Sequence, residues 1–161
     1  MEEKRKIRKT FKYRCYPNKR TVRQLYKVIR NAITPVWNSC VAEREQAREL
    51  YRQKLDEVFC DFVQEHKRDL TEGEEKKICN EVSKTIDWPT AYGQYKHVRK
   101  REHPEYADYS AIMMQATKDQ VDGAMKSYLA LRKNGDKEAR PPRQQRLHRC
   151  VTFRQSGWKP L

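Results

Sequence analysis

The sequence predicts an α+β fold: a small β-barrel, with strands at both ends of the chain, interrupted by a large helical insertion. Three observations predict it. Residues 7–16 alternate between apolar and basic, the period-two pattern of a half-buried strand. Apolar residues from 19 to about 133 recur at three- and four-residue steps, the pattern of amphipathic helices. Residues 149–154 then alternate again. A lone strand is unstable and two are marginal in water, so the end segments are expected to pair. The barrel portion is placed at residues 1–18 and 136–161, and the helical insertion at 19–135.

In the first strand Ile7, Phe11, Tyr13 and Cys15 share one parity, and Arg8, Thr10, Lys12 and Arg14 the other. Pro17-Asn18 ends it, since proline cannot donate to a ladder and asparagine favours turns. Val22, Leu25, Tyr26, Ile29 and Ile33 form the stripe of a first helix. Thr34-Pro35 resets the chain as a predicted N-cap and first helical residue. A long, charge-rich helix then runs from Val36 to about His66. Thr71-x-x-Glu74 is a capping-box signature ahead of Ile78, Val82 and Ile86. Trp88-Pro89 interrupts. Thr90 caps a predicted short helix with Tyr92, Tyr95, Lys96, Arg99 and Arg101, ending before His103-Pro104. Ser110 caps another through Leu131, with Met114, Val121, Met125 and Tyr128 on one face, and Asn134-Gly135 is its stop. Residues 136–149 read as a basic linker, poor in apolar residues, with Pro141 and Pro142 in it.

Charge points to the partner. The 161 residues hold 36 Lys+Arg against 22 Asp+Glu, a net charge of +14. Residues 1–30 carry 12 basic and 2 acidic side chains and residues 132–161 carry 9 and 2, whereas 31–131 are slightly acidic. The excess is at the ends, so ends that meet would make one positive surface suited to a polyanion. Five glycines leave no phosphate-binding loop or dinucleotide fingerprint, and Glu74/Glu75 and Asp119/Asp122 read as charged helix faces. No catalytic centre is expected. Cys15, Cys40, Cys60, Cys79 and Cys150 are too dispersed for a metal pair, as are the four histidines. No metal site, disulfide or membrane anchor is expected, and free thiols suggest a cytoplasmic protein.

FKYRCYPN, followed by a helix and PVWNSCVAEREQAREL, then AYGQ at 91–94, MMQATKDQVDGAMKSYLALRKNG, Pro142-Arg143 and VTFRQSGWKP, in that order, resemble the N-terminal part of the TnpB (OrfB) family. These are RNA-guided nucleases of insertion sequences, related to type V CRISPR effectors. The chain departs from the family at Gln144, where a Phe is usual, at Leu129, where a second aromatic is usual, and in a longer stretch at 60–88. The resemblance implies a barrel wedge (WED) domain interrupted by a helical recognition (REC) domain, gripping guide RNA and reading a short motif beside the DNA target. It implies no cofactor in this chain. The Mg²⁺-dependent RuvC nuclease and the zinc-binding segment of the family follow the region matched here, so the RuvC-containing part would be a further partner.

Candidate contacts follow from both readings. Arg8, Lys12 and Arg14 make a basic strand face suited to the sugar-phosphate backbone, or a solvated edge strand. Arg140, Arg143, Arg146 and Arg149, with His148, line a linker that could order on RNA or stay a loop. Tyr92 and Lys96, four apart on one predicted helix face, match family positions that read the target-adjacent motif; helix packing is the bland alternative. Gln115 matches a family glutamine that contacts bases, and an amide can pair with an adenine edge. Tyr13, Tyr16 and Trp37 could stack on bases or pack in the core. Two other functions fit the sequence: a stand-alone helix-turn-helix DNA-binding regulator, and a protein-binding helical scaffold.

Overall fold

A computed structural model describes residues 18–152. Helix α1 spans Lys19–Val28 and α2 spans Thr34–His66, joined by a π-helical turn over Ile29–Ile33. Helix α3 spans Glu72–Lys84 and α4 spans Ala111–Lys133, with short 3-10 helices at Gly93–Val98 and Pro104–Tyr106 between them. The core gathers Ala32, Val36, Trp37, Cys40 and Val41 from the π-turn and α2, Val98 and Tyr106 from the connecting segment, and Met114 and Val121 from α4.

The expected α+β fold with barrel strands is overturned: every regular element among the described residues is helical, and none is a strand. The strand expected at 149–154 carries no ladder over 149–152. The strand expected at 7–16 lies outside the described residues. The segment leading into residues 149–152, residues 143–148, is a strap that docks on α2 and not in a sheet. The Trp37 indole N–H donates to the Arg143 carbonyl at 2.9 Å. The Asn38 side-chain amide donates to the Gln145 carbonyl and accepts from the Gln145 N–H, both at 2.8 Å. The His148 N–H donates to the Thr34 hydroxyl at 3.0 Å. A backbone whose polar groups are answered by helix side chains needs no strand partner.

Thr34-Pro35 does not start a separate helix. Thr34 has helical backbone angles, and the chain runs on from α1 to α2 through the π-turn. Pro35 lacks an N–H and its ring crowds the carbonyl four residues earlier; a wider turn at this point absorbs both. The Thr34 hydroxyl, expected to cap, instead receives the strap. The capping box is present as expected: Thr71 Oγ1 accepts from the Glu74 N–H at 3.4 Å and Glu74 accepts from the Thr71 N–H at 2.9 Å. Arg68 adds a forked pair to Glu74 at 3.0 and 2.6 Å, and the Arg68 hydrogen bonds hold that carboxyl far below the usual carboxylate range.

Helix α2 is 33 residues long, or about 50 Å at 1.5 Å per residue. Its buried residues end at Ala47; beyond that it leaves the core and packs against α3. Helix α4 ends as expected at Asn134-Gly135. Gly135 is left-handed at φ 89°, its N–H meets the Arg132 carbonyl, and the Asp136 N–H meets that of Leu131, the two bonds of a Schellman cap. A Cβ on Gly135 would touch nothing within 4 Å, so only backbone strain opposes a side chain. Gly135→Ala is expected to lower stability by about 1 kcal/mol, read as a lower melting temperature; an unchanged melt would remove this cap from the account.

Candidate nucleic-acid interface

The strap brings the two basic regions of the described chain together. Between α1 and residues 145–150 lies a groove of about 1220 Å³ lined by Tyr26, Arg30, Gln145, Arg146, Leu147, His148, Arg149 and Cys150. No carboxylate among the described residues lines it. Arg30, Arg146 and Arg149 form no ion pair with any described residue. Three uncompensated guanidiniums beside an open channel favour an anionic chain on electrostatic grounds. Tyr26, about half exposed, adds an aromatic face.

His148 pins this groove to the core. It is buried, stacks on Trp37 with ring centroids 4.8 Å apart, and has ring nitrogens 3.2 Å from the amide oxygens of Gln145 and Gln120. Its Nε2 lies 3.5 Å from Cys150 Sγ. Gln120 also donates to the Thr152 hydroxyl, so α4 holds the outgoing end of the strap as α2 holds its start. Burial lowers the His148 pKa.

An ionic hub joins α2, the connecting segment and α4. Gln94, fully buried, donates to the Cys40 carbonyl at 2.8 Å and to Glu43 at 3.0 Å, and accepts from Arg44 at 2.9 and 3.0 Å. Arg44 also pairs with Asp122. Lys118, 1% exposed, reaches the Ala91 carbonyl at 2.9 Å, Asp119 at 2.8 Å and Asp122 at 3.8 Å, and lies 4.7 Å from the centre of the Tyr95 ring. Burial pushes the Glu43 carboxyl up, but hydrogen bonds from Lys96, Gln94 and His97 outweigh it and hold the carboxyl below its ordinary range. Burial, reinforced by the Glu43 charge, pushes the Cys40 thiol up to about 12, which leaves it protonated and unreactive.

The expected site residues scatter. Arg8, Lys12 and Arg14 lie outside the described residues. Tyr92 and Lys96 do not share an α-helical face: Tyr92 is the residue before the 3-10 helix that carries Lys96, and three residues per turn set positions four apart on different sides. Tyr92 is 78% exposed and approaches Tyr95 at 6.2 Å. Lys96 instead closes on Glu43 at 2.5 Å. Gln115 is half-buried near the start of α4, and Arg140 and Arg143 are exposed outside the groove lining. Among the described residues of the expected set, Arg146 and Arg149 come together, with His148 between them. Arg30 and Tyr26 were missed because α1 read as a packing helix; Arg30 falls off its apolar stripe, which was the available signal. Among the described residues no group of three or more His, Cys, Asp or Glu side chains could hold a metal ion, and no helix is long and apolar enough to cross a membrane.

No protein-family model, curated protein or solved structure matches the chain.

The His148 environment fixes a pH dependence. Its folded pKa lies below the ordinary 6.5, so its contribution to strap docking is complete above pH 6.5 and is lost as pH falls through the folded value, where the unfolded chain binds the extra proton. Amide exchange at Gln145 and His148, corrected for its intrinsic pH dependence, is expected to accelerate between pH 7 and pH 5. His148→Gln should flatten that profile. A wild-type profile already flat would detach His148 from strap docking.

Proposed function

We propose that this chain is the nucleic-acid-gripping part of an RNA-guided DNA endonuclease of the TnpB type, holding guide RNA and contributing to recognition of target-adjacent DNA. Cleavage, with its Mg²⁺, would belong to a RuvC-containing partner region, and this chain would act in the cytoplasm. The observation that carries the reading is the groove: Arg30, Arg146 and Arg149, from both basic regions, face one channel with no carboxylate in its lining. The ordered resemblance along the sequence supplies the RNA-guided context.

Guanidiniums suit this task because their planar fork matches phosphate oxygens two at a time. Such contacts fix the register of a strand without reading its sequence. Base reading would fall to side chains outside the groove. Tyr92 and Gln115 remain available for it, since neither side chain has a hydrogen-bond partner among the described residues. Lys96 is committed to Glu43 and would serve only by exchanging that partner.

Purifying the chain and sequencing co-purified nucleic acid tests the reading. A structured RNA is expected. Duplex DNA alone would favour a helix-turn-helix regulator, and no nucleic acid would favour a protein-binding scaffold. Arg30→Ala, Arg146→Ala and Arg149→Ala together should weaken RNA binding and reduce the slope of log affinity against log salt by about 2–3, as expected for three lost phosphate contacts. An unchanged slope would move the backbone contacts elsewhere.

A further inference from the structure

A second cavity, of about 470 Å³, lies between the middle of α2, the end of α4 and the Trp88-Pro89 loop, lined by Arg44, Arg48, Tyr51, Arg52, Trp88, Pro89, Met125, Tyr128 and Leu129. Its volume falls within the range of small-molecule sites. Three of its features do not suit ordinary packing. Arg44, Arg48 and Arg52 recur every four residues, which sets three guanidiniums in one row along α2. No carboxylate lines the cavity. Tyr51 and Trp88 stand at its side with ring centroids 5.7 Å apart and planes tilted by 50°, with the indole held by a 3.0 Å hydrogen bond to the Ser83 carbonyl.

The arginines are not equivalent. Arg44 is bound to Asp122 and Gln94. Arg52 makes only a loose 3.7 Å contact with Glu49, with both side chains exposed. The side chain of Arg48, a half-buried residue, has no hydrogen bond or ion pair with any described residue. A partly desolvated cation among aromatic rings, with no anion supplied by the described residues, lacks the partner that usually accompanies such burial. An incoming anion would supply it, and the rings would favour an anion attached to something flat.

We propose that this cavity binds a nucleotide: a planar heterocycle against the Tyr51–Trp88 pair, and its phosphate on Arg48 with Arg52 nearby. The same chemistry is offered by a free mononucleotide and by an unpaired nucleotide of a single strand. The site is independent of the groove between α1 and the strap. Stacking gives affinity that tolerates any base, and the phosphate contact sets polarity.

Equilibrium dialysis of the full chain against AMP, adenosine and inorganic phosphate tests this. AMP should bind at least about tenfold more tightly than either fragment. Arg48→Ala should weaken AMP by about tenfold or more at an unchanged melting temperature, and Trp88→Leu should weaken AMP and adenosine alike by about fivefold or more. Arg146→Ala with Arg149→Ala should leave AMP binding intact, which separates this site from the groove. Competition by a tetra-adenylate, but not by its abasic analogue, would assign the nucleotide to a strand; AMP binding that the tetra-adenylate leaves untouched would assign it to a free nucleotide. AMP binding no tighter than phosphate, or unaffected by Arg48→Ala, overturns the proposal.

Discussion

The fold depends on a carboxamide that has every hydrogen-bonding position filled. Gln94 comes from a short 3-10 helix with little stability of its own, yet it is fully buried. Its side chain ties the α2 backbone at Cys40 and both charged neighbours, Glu43 and Arg44, to the segment between α3 and α4. Arg44 then passes the connection to Asp122 on α4, and Lys118 returns it from α4 to the Ala91 carbonyl. Three elements are thereby held in one register by groups that cannot be left unpaired in a low-dielectric interior. Such a network adds little to stability relative to an apolar core of the same shape. It makes misregistered packings costly, because each would strand a charge.

The same logic explains the strap. Residues 143–148 are too polar to be held by burial alone. Thr34, Trp37 and Asn38 sit within one turn and a neighbouring position of α2, and they present a hydroxyl, an indole N–H and a carboxamide to the strap backbone. The π-turn immediately before them sets the direction of that face. Pro35 therefore contributes to the groove without lining it: it forces the wide turn at which α1 meets α2, and so where Arg30 stands relative to Arg146 and Arg149.

The helices were legible in the sequence, because periodicity is a local property. The capping box at Thr71-Glu74 and the glycine stop at Gly135 were readable for the same reason. The fold class was not. Val151 and Thr152 alternate as strand residues do, but alternation records only which side chains are apolar, not what answers the backbone. The strap's partner is a set of helix side chains more than 100 residues away in sequence, and nothing near residue 145 announces it. The hub was half legible. Lys118 follows Met114 by four and precedes Val121 by three, which places a lysine on the buried stripe of α4. A buried lysine requires a carboxylate, and Asp122 one turn on supplies it; that inference needed only the spacing. Lys96 misled because a helix of the wrong pitch was assumed for it.

Charge in the folded molecule is partitioned by burial. Three acidic residues of the middle region are committed to the hub: Glu43 to Lys96 and His97, Asp122 to Arg44 and Lys118, Asp119 to Lys118. Glu74 is taken by Arg68 at the far end of α2. No carboxylate among the described residues, these four included, lines the groove. A net charge summed over the chain understates the field at Arg30, Arg146 and Arg149 for that reason. Salt acts on the two sets differently as well. The buried hub pairs, Arg44 and Lys118 with Asp122, are shielded from bulk ions, whereas the groove arginines face solvent, where screening operates over about 10 Å at 0.1 M salt. The field of the groove and the core that shapes it therefore respond to different conditions: added salt weakens the field at the exposed arginines long before it disturbs the core.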